Sequence, residues 1–198
     1  MPDIREGNLS LVFPDDWQAI KYDESDWHCQ RMKNRPKTMD ILARNPDEQH
    51  WWIEIKDCEG YEQDNRPRIS PSESGEVGQV LQWIMQQGWQ QTVQAQRKKP
   101  FIVDEVEAKL KETLAALAIA RRENHAELAA FDVLHNPAPA WKVVLLLTWE
   151  KRDFKRLATR LQQKLNQALS PYGVQGFVVN EQTTGSSSMR CVVTRSNP

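Results

Sequence analysis

The sequence predicts an α/β (α+β) chain, with a central mixed sheet that contains an antiparallel hairpin and is flanked by helices. Three features carry that expectation. Residues 38–44 (TMDILAR) and 51–57 (WWIEIKD) are apolar runs on either side of Asn45-Pro46-Asp47. Proline pre-sets one dihedral, and Asn and Asp tie their side chains to nearby backbone, so the two runs read as a hairpin. Residues 140–149 (AWKVVLLLTW) are nearly all apolar, as befits a strand covered on both faces. Stretches with apolar residues at helical spacing stand on each side of that strand, over about 104–122 and 153–169.

The remaining elements follow in chain order. LSLVF (9–13) and WQAIKYD (17–23) read as short strands around the turn Pro14-Asp15-Asp16. The basic stretch HCQRMKNRPK comes next, and no amphipathic helical pattern is legible in residues 1–37. Residues 62–76, rich in Pro, Ser and charge, read as a loop. Apolar residues at 77, 80, 81, 84 and 85 have helical spacing, but Gly88 and the Gln-rich WQQTVQAQRKKP leave the continuation open. The chain therefore reads as a single domain over 1–198 with a loop and helix insertion at 62–100.

In the long helix, Asp104 and Glu107 form a capping-box-like pair, and Val106, Leu110, Leu114 and Leu117 line one face. Glu105–Lys109 and Glu107–Lys111 are favourable i,i+4 pairs. The later helix buries Phe154, Leu157, Leu161 and Leu165 and stops at Ser170-Pro171-Tyr172-Gly173. GVQGFVVN and MRCVVTR, around TTGSSS, read as two closing strands.

Composition narrows the function. With 39% hydrophobic residues the chain can bury a core, and its formal charge of −1 gives no global field to attract a polyanion. Cys29, Cys58 and Cys191 are odd in number and far apart, so they read as free thiols of a reducing compartment. The segment MPDIREGNLS has no apolar core of a leader, and VVLLL is too short to cross a bilayer. A cytoplasmic location is the expectation. There is no GxSxG, P-loop or GxGxxG pattern, and His28, His50, His125 and His135 lack metal-ligand spacing.

The hairpin holds the chemistry. Side chains alternate along a strand, so Trp52, Glu54 and Lys56 share one face. A turn centred on Asp47 sets Asp40 opposite Glu54, Leu42 opposite Trp52 and Thr38 opposite Lys56, with Cβ atoms about 5 Å apart. A half-exposed hairpin with a surface Glu–Lys pair is the ordinary reading. Two details weigh against it: Leu42 and Trp52 lie beside the charges, and directly opposed carboxylates destabilise a sheet. A divalent cation would turn that repulsion into coordination, and Mg²⁺ favours one or two carboxylates plus waters.

Asp40, thirteen intervening residues and then Glu54-Ile55-Lys56 resemble the motif of the PD-(D/E)XK nuclease superfamily, which has the restriction-endonuclease-like fold. The setting also resembles bacterial families whose second motif is similar to LIEVKD. The resemblance implies Asp40 and Glu54 as metal ligands, the Ile55 carbonyl as a third, and Lys56 as the group that orients or helps deprotonate the attacking water. It implies Mg²⁺, or Mn²⁺, as cofactor. The family core of hairpin, helix and strand is similar to residues 38–57, 104–122 and 140–149. Many members carry a further acid on a helix before the hairpin. Here Glu24, Asp23 or Asp26 could supply it from a loop, or could be solvated turn residues.

The function expected from this resemblance is phosphodiester hydrolysis by Asp40, Glu54 and Lys56. The alternative is an inactive nuclease-like fold that binds nucleic acid or protein; a third reading is an interaction protein on which these are surface charges. A nucleic-acid partner would need a local cationic surface. Arg152, Arg156, Arg160 and Lys164 recur at i+4 intervals, widened by Lys151 and Lys155, and could track phosphates or be the solvated face of a helix. Arg31, Lys33, Arg35 and Lys37 form a second basic cluster with the same two readings. Trp83 and Trp89 could stack on bases or pack on the protein body. A homo-oligomer is an open possibility that the sequence does not specifically indicate.

Overall fold

In the computed structural model the described residues are 1–198 except 33–36, 73–74, 96, 135–139, 186 and 197–198. His135, and Lys33 and Arg35 of the upstream basic cluster, lie outside the described residues.

The chain builds two sheets. Strands β3 (Gln18–Lys21), β4 (Ile41–Arg44), β5 (His50–Asp57), β6 (Trp141–Thr148) and β7 (Gln175–Val179) form a five-stranded sheet in that order. It is mixed: β3-β4-β5 is antiparallel, and β6 and β7 continue it in parallel. A separate antiparallel sheet has the order β1 (Asp3–Glu6), β2 (Leu9–Val12), β8 (Val192–Arg195). The helices are α1 (Asp26–Arg31), α2 (Glu62–Asn65), α3 (Gly75–Gln86), α4 (Ile102–Arg122) and α5 (Lys151–Leu169).

Both faces of the larger sheet are covered. On one face Leu42, Trp52, Val143, Leu145 and Leu147 pack with Val106, Leu110 and Leu117 of α4 and Phe154, Leu157, Leu161 and Leu165 of α5. On the other, Ile41, Ala43, Trp51, Ile53, Val144 and Leu146 meet Leu9, Leu11, Phe13 and Val193 from the small sheet and its flank. This two-sided burial explains the uninterrupted apolar run of β6. It also removes the solvent face of the hairpin: His50 through Ile55 are all buried.

The sequence reading is corrected in several places. The strands near 9–13 and 17–23 exist, but they enter different sheets, joined by a turn in which Trp17 N–H donates to Pro14 O at 3.1 Å. Strand β1 went unread because DIRE offers one apolar residue and so no alternation. Its turn into β2 uses Gly7 at φ +55°, a conformation that suits glycine. α1 is too short to show an amphipathic pattern and buries only Trp27; the Ser25 hydroxyl accepts His28 N–H at its start. Part of 62–76 is helical, as α2 and a 3₁₀ turn at Arg66–Ile69.

Helix α4 starts three residues earlier than the Asp104 box implies, and its N-cap, Phe101, makes no side-chain capping bond. Glu107 instead accepts from the Tyr172 hydroxyl at 3.0 Å and pairs with Lys111 at 2.8 Å.

At the sheet's end, α5 lies directly on β7. A Cβ at Gly176 would come within 2.7 Å of Leu165 Cγ, so only glycine permits this approach. Asn166 and Gln162 of α5 then bond backbone groups of β7, accepting Gly176 N–H at 2.8 Å and Val178 N–H at 3.2 Å. Those bonds satisfy an edge that would otherwise invite another strand. Among the described residues no helix is long and apolar enough to cross a membrane. The three cysteines are free.

Candidate functional site

The hairpin register is the one that the turn at Asp47 predicts, with Leu42 paired to Trp52 and Ile41 to Ile53. Asp40 sits one residue before β4. Its N–H donates to Ile53 O at 3.1 Å and its carbonyl accepts Tyr22 N–H at 2.8 Å, which fixes the backbone between β3 and β5. The side chain is fixed as well, because Asp40 Oδ2 accepts Ile55 N–H at 2.7 Å.

From Asp40 a chain of alternating charges runs through the interior. Lys109 Nζ donates to Asp40 Oδ1 at 2.8 Å and lies 2.7 Å from Glu54 Oε2. The other Glu54 oxygen is 2.6 Å from Lys56 Nζ, which donates in turn to Glu105 Oε1 at 2.9 Å. Arg68 closes the chain on Glu105 Oε2. Glu54 is completely buried at 0% exposure, and although two ammonium groups touch it, neither of its oxygens has a hydrogen bond of proper alignment. Its carboxylate is electrostatically paired yet incompletely satisfied.

The local electrostatics follow from burial and these partners. Burial, and then the Asp40 charge, push Glu54 up to about 7 against the opposing pull of Lys56 and Lys109. Burial works to lower Lys109, but Glu54 and Asp40 outweigh it and hold the ammonium above its ordinary range. At Glu105 burial is likewise overcome, here by Lys56 and Arg68, which keep it below the usual carboxylate range.

A cavity of about 320 Å³ opens onto this network, lined by Asp23, His28, Lys37, Thr38, Glu105 and Lys109. Lys109 thus stands between the cavity and the carboxylates of Asp40 and Glu54. Among the three upstream acids, Asp23 is the one on the cavity wall, and burial followed by the Asp40 charge raises it to about 6. His28 bridges the wall: its Nδ1 lies 3.0 Å from Asp23 O, an acceptor, so that nitrogen carries the proton. Its Nε2 is then the acceptor for the Thr38 hydroxyl at 3.2 Å. Burial lowers the histidine's pKa, in keeping with a neutral ring.

The structure brings together Asp40, Glu54, Ile55 and Lys56. Sequence reasoning missed Lys109, Glu105 and Arg68. The expected i,i+4 pair Glu105–Lys109 is replaced by inward contacts of both residues, Lys109 to Asp40 and Glu54, Glu105 to Lys56 and Arg68. A signal was present: Lys109 falls three residues after Val106 and four before Thr113, on the buried stripe of α4. A lysine at such a position needs a buried counter-charge.

The cations of α5 are placed differently. Arg152, Arg156, Arg160 and Lys164 are exposed on the outer side of the helix, and Arg160 also donates to Ile69 O at 3.0 Å. Ile69 directly follows Arg68 and Pro67 in the 3₁₀ turn, so the stripe touches the segment that feeds Arg68 into the site. In the upstream basic cluster, Arg31 pairs with Glu123 at 3.2 Å, and Lys37 lines the cavity.

Two carboxylates, Asp40 and Glu54, face one cationic centre; among the described residues no three His, Cys, Asp or Glu side chains form a group able to hold a metal ion. Compared with family models, curated proteins and solved structures, the chain matches none.

Proposed function

We propose that the chain is a metal-dependent phosphodiesterase acting on nucleic acid, with a restriction-endonuclease-like core of the PD-(D/E)XK type. One observation carries the reading: Asp40 Oδ1 and Glu54 Oε2 converge on a single cationic point at 2.8 and 2.7 Å, while Lys56 touches the second Glu54 oxygen at 2.6 Å.

The donor set fits a hard divalent ion. Two buried carboxylates already share one positive charge, and the Glu54 oxygens lack aligned hydrogen bonds. Asp40, Glu54 and the Ile55 carbonyl would hold Mg²⁺ or Mn²⁺, which when bound supplies a water of lowered pKa and neutralises charge on the phosphate. Lys56, clamped between Glu54 and Glu105, would orient the attacking water. Lys109, once freed from the carboxylates, remains on the cavity wall, where an ammonium can meet a phosphoryl oxygen. The exposed stripe Arg152, Arg156, Arg160 and Lys164 would hold flanking phosphates.

The test is cleavage of plasmid DNA, single-stranded DNA and RNA in Mg²⁺ or Mn²⁺. Cleavage should vanish with EDTA and in Lys56→Ala. No cleavage of any substrate by the wild-type chain, or cleavage that survives in Lys56→Ala, contradicts the proposal. A second reading, a non-catalytic module of the same fold, is favoured by the charge balance: Asp40, Glu54 and Glu105 are matched by Lys56, Lys109 and Arg68 without any metal. It predicts binding of nucleic acid or protein with no metal dependence.

A further inference from the structure

We infer that the arm formed by α3 and the turn after it is a docking surface for a second copy of this chain. The arm is a defined unit. Gly88 adopts φ +71° at the end of α3, and Trp89 N–H reaches back to Ile84 O at 3.1 Å, the bond that closes a helix with a left-handed residue. Thr92 and Val93 N–H then both donate to Trp89 O, so the chain after the helix folds against it.

The arm leaves several large apolar side chains about half exposed. Ile84 alone is buried in α3, whereas Val80 (47%), Trp83 (50%), Met85 (66%), Trp89 (47%) and Val93 (43%) are exposed. Trp83 and Trp89 pack edge-to-face on each other with centroids 5.4 Å apart, so they form one aromatic pair that is half exposed. A shallow cavity of about 620 Å³ lies between α3 and the turn after it, lined by Leu81, Ile84, Met85 and residues 90–94. Clustered exposed apolar side chains of this kind mark an interaction surface.

Charge selects the occupant. Residues 77–96 contain no charged side chain, although at the chain-wide 27% about five would be expected among twenty residues. A polyanion would find no cation within 77–96: Lys98 and Lys99 lie beyond it, and Arg97 donates to the carbonyls of Pro67 and Ser70. An interfacial membrane helix is typically rich in lysine or arginine on its polar face. A two-fold interface sets one patch against its own copy, so any charge near the axis meets its like. A charge-free patch meets that requirement. The glutamines at 79, 82, 86, 87, 90, 91 and 94 add amides that both donate and accept, so the patch can hydrogen-bond to itself.

Sedimentation equilibrium of the full chain, from low micromolar to several hundred micromolar, tests this. The 23.0 kDa chain should approach twice its mass as concentration rises. Trp83→Glu, which places like charges across the axis, should weaken dimerisation at least about tenfold, while Trp83→Phe preserves it. Circular dichroism checks that both variants are folded. A wild-type chain that keeps single-chain mass throughout overturns the proposal, as does a Trp83→Glu dimer of unchanged strength. Binding of neutral lipid vesicles or oligo(dT) through Trp83 by a chain that remains monomeric would equally overturn it. None of these outcomes depends on the hydrolytic reading.

Discussion

The molecule places its polarity in opposite ways in two regions. Around Asp40 and Glu54 it buries a chain of alternating charges under α4; on the α3 arm it exposes tryptophan, methionine and valine and carries no charge over twenty residues. Each arrangement opposes the usual sorting of residues, and each does so differently. The interior charges are held by mutual pairing, so disturbing one disturbs its neighbours. The arm's side chains have few partners within the described residues, so changing one should leave the fold intact and alter only what docks there.

The largest expected effect lies in the interior. Lys109→Met removes the ammonium shared by Asp40 and Glu54, and should cost about 3–5 kcal/mol of stability at neutral pH, as breaking a buried pair does. Denaturant unfolding measures this, and added Mn²⁺ should restore part of the loss if the carboxylates then take the ion. A loss below about 1 kcal/mol would put Lys109 among the surface cations and erase the contrast.

A smaller effect is expected with pH. Glu54 rises from 4.5 to about 7 on folding, so between those values the folded chain binds more protons than the unfolded one. Stability therefore falls as pH rises from about 4.5 to 7 on account of this residue. Asp23, raised from 3.8 to about 6, acts in the same direction. Glu105, held below its ordinary value, acts oppositely: its contribution is present above 4.5 and lost as pH falls. Unfolding curves of wild type and Glu54→Gln across this range should differ in slope, the wild type declining more steeply toward neutrality. Equal slopes would remove Glu54 from the account.

At the surface the effects on stability should be smallest. Arg156→Ala on α5 should shift stability by no more than about 0.5 kcal/mol. If nucleic acid binds along α5, the same change lowers the slope of log K against log salt by about one. Trp83→Gln on the arm, which loses the Trp89 ring contact, should cost no more than about 1.5 kcal/mol in the monomer, measured at low concentration. A large loss there would mean that the arm is part of the core, contrary to its exposure.

The hairpin and its register were legible because Asn45-Pro46-Asp47 fixes the turn and Leu42 and Trp52 mark the inner face. That brought Asp40, Glu54 and Lys56 together from sequence alone. Lys109 was hidden by an ambiguity of spacing: position 109 is i+4 from Glu105, which suggests a surface pair, and also i+3 from Val106, which suggests the core. Helical periodicity does not choose between those; the location of Asp40 and Glu54 does. The small sheet was unreadable for another reason. β8 joins β2 from about 180 residues away, and β1 lacks alternation, so no local pattern announces the pairing.

The central claim is that Asp40 and Glu54 hold a divalent ion in place of the Lys109 ammonium. Calorimetric titration of Mn²⁺ into the wild-type chain and Lys109→Met measures it directly. One ion should bind per chain, more tightly in Lys109→Met, and binding should disappear when Asp40→Ala is added. Absence of binding in both proteins, or binding that Asp40→Ala leaves unchanged, contradicts the claim.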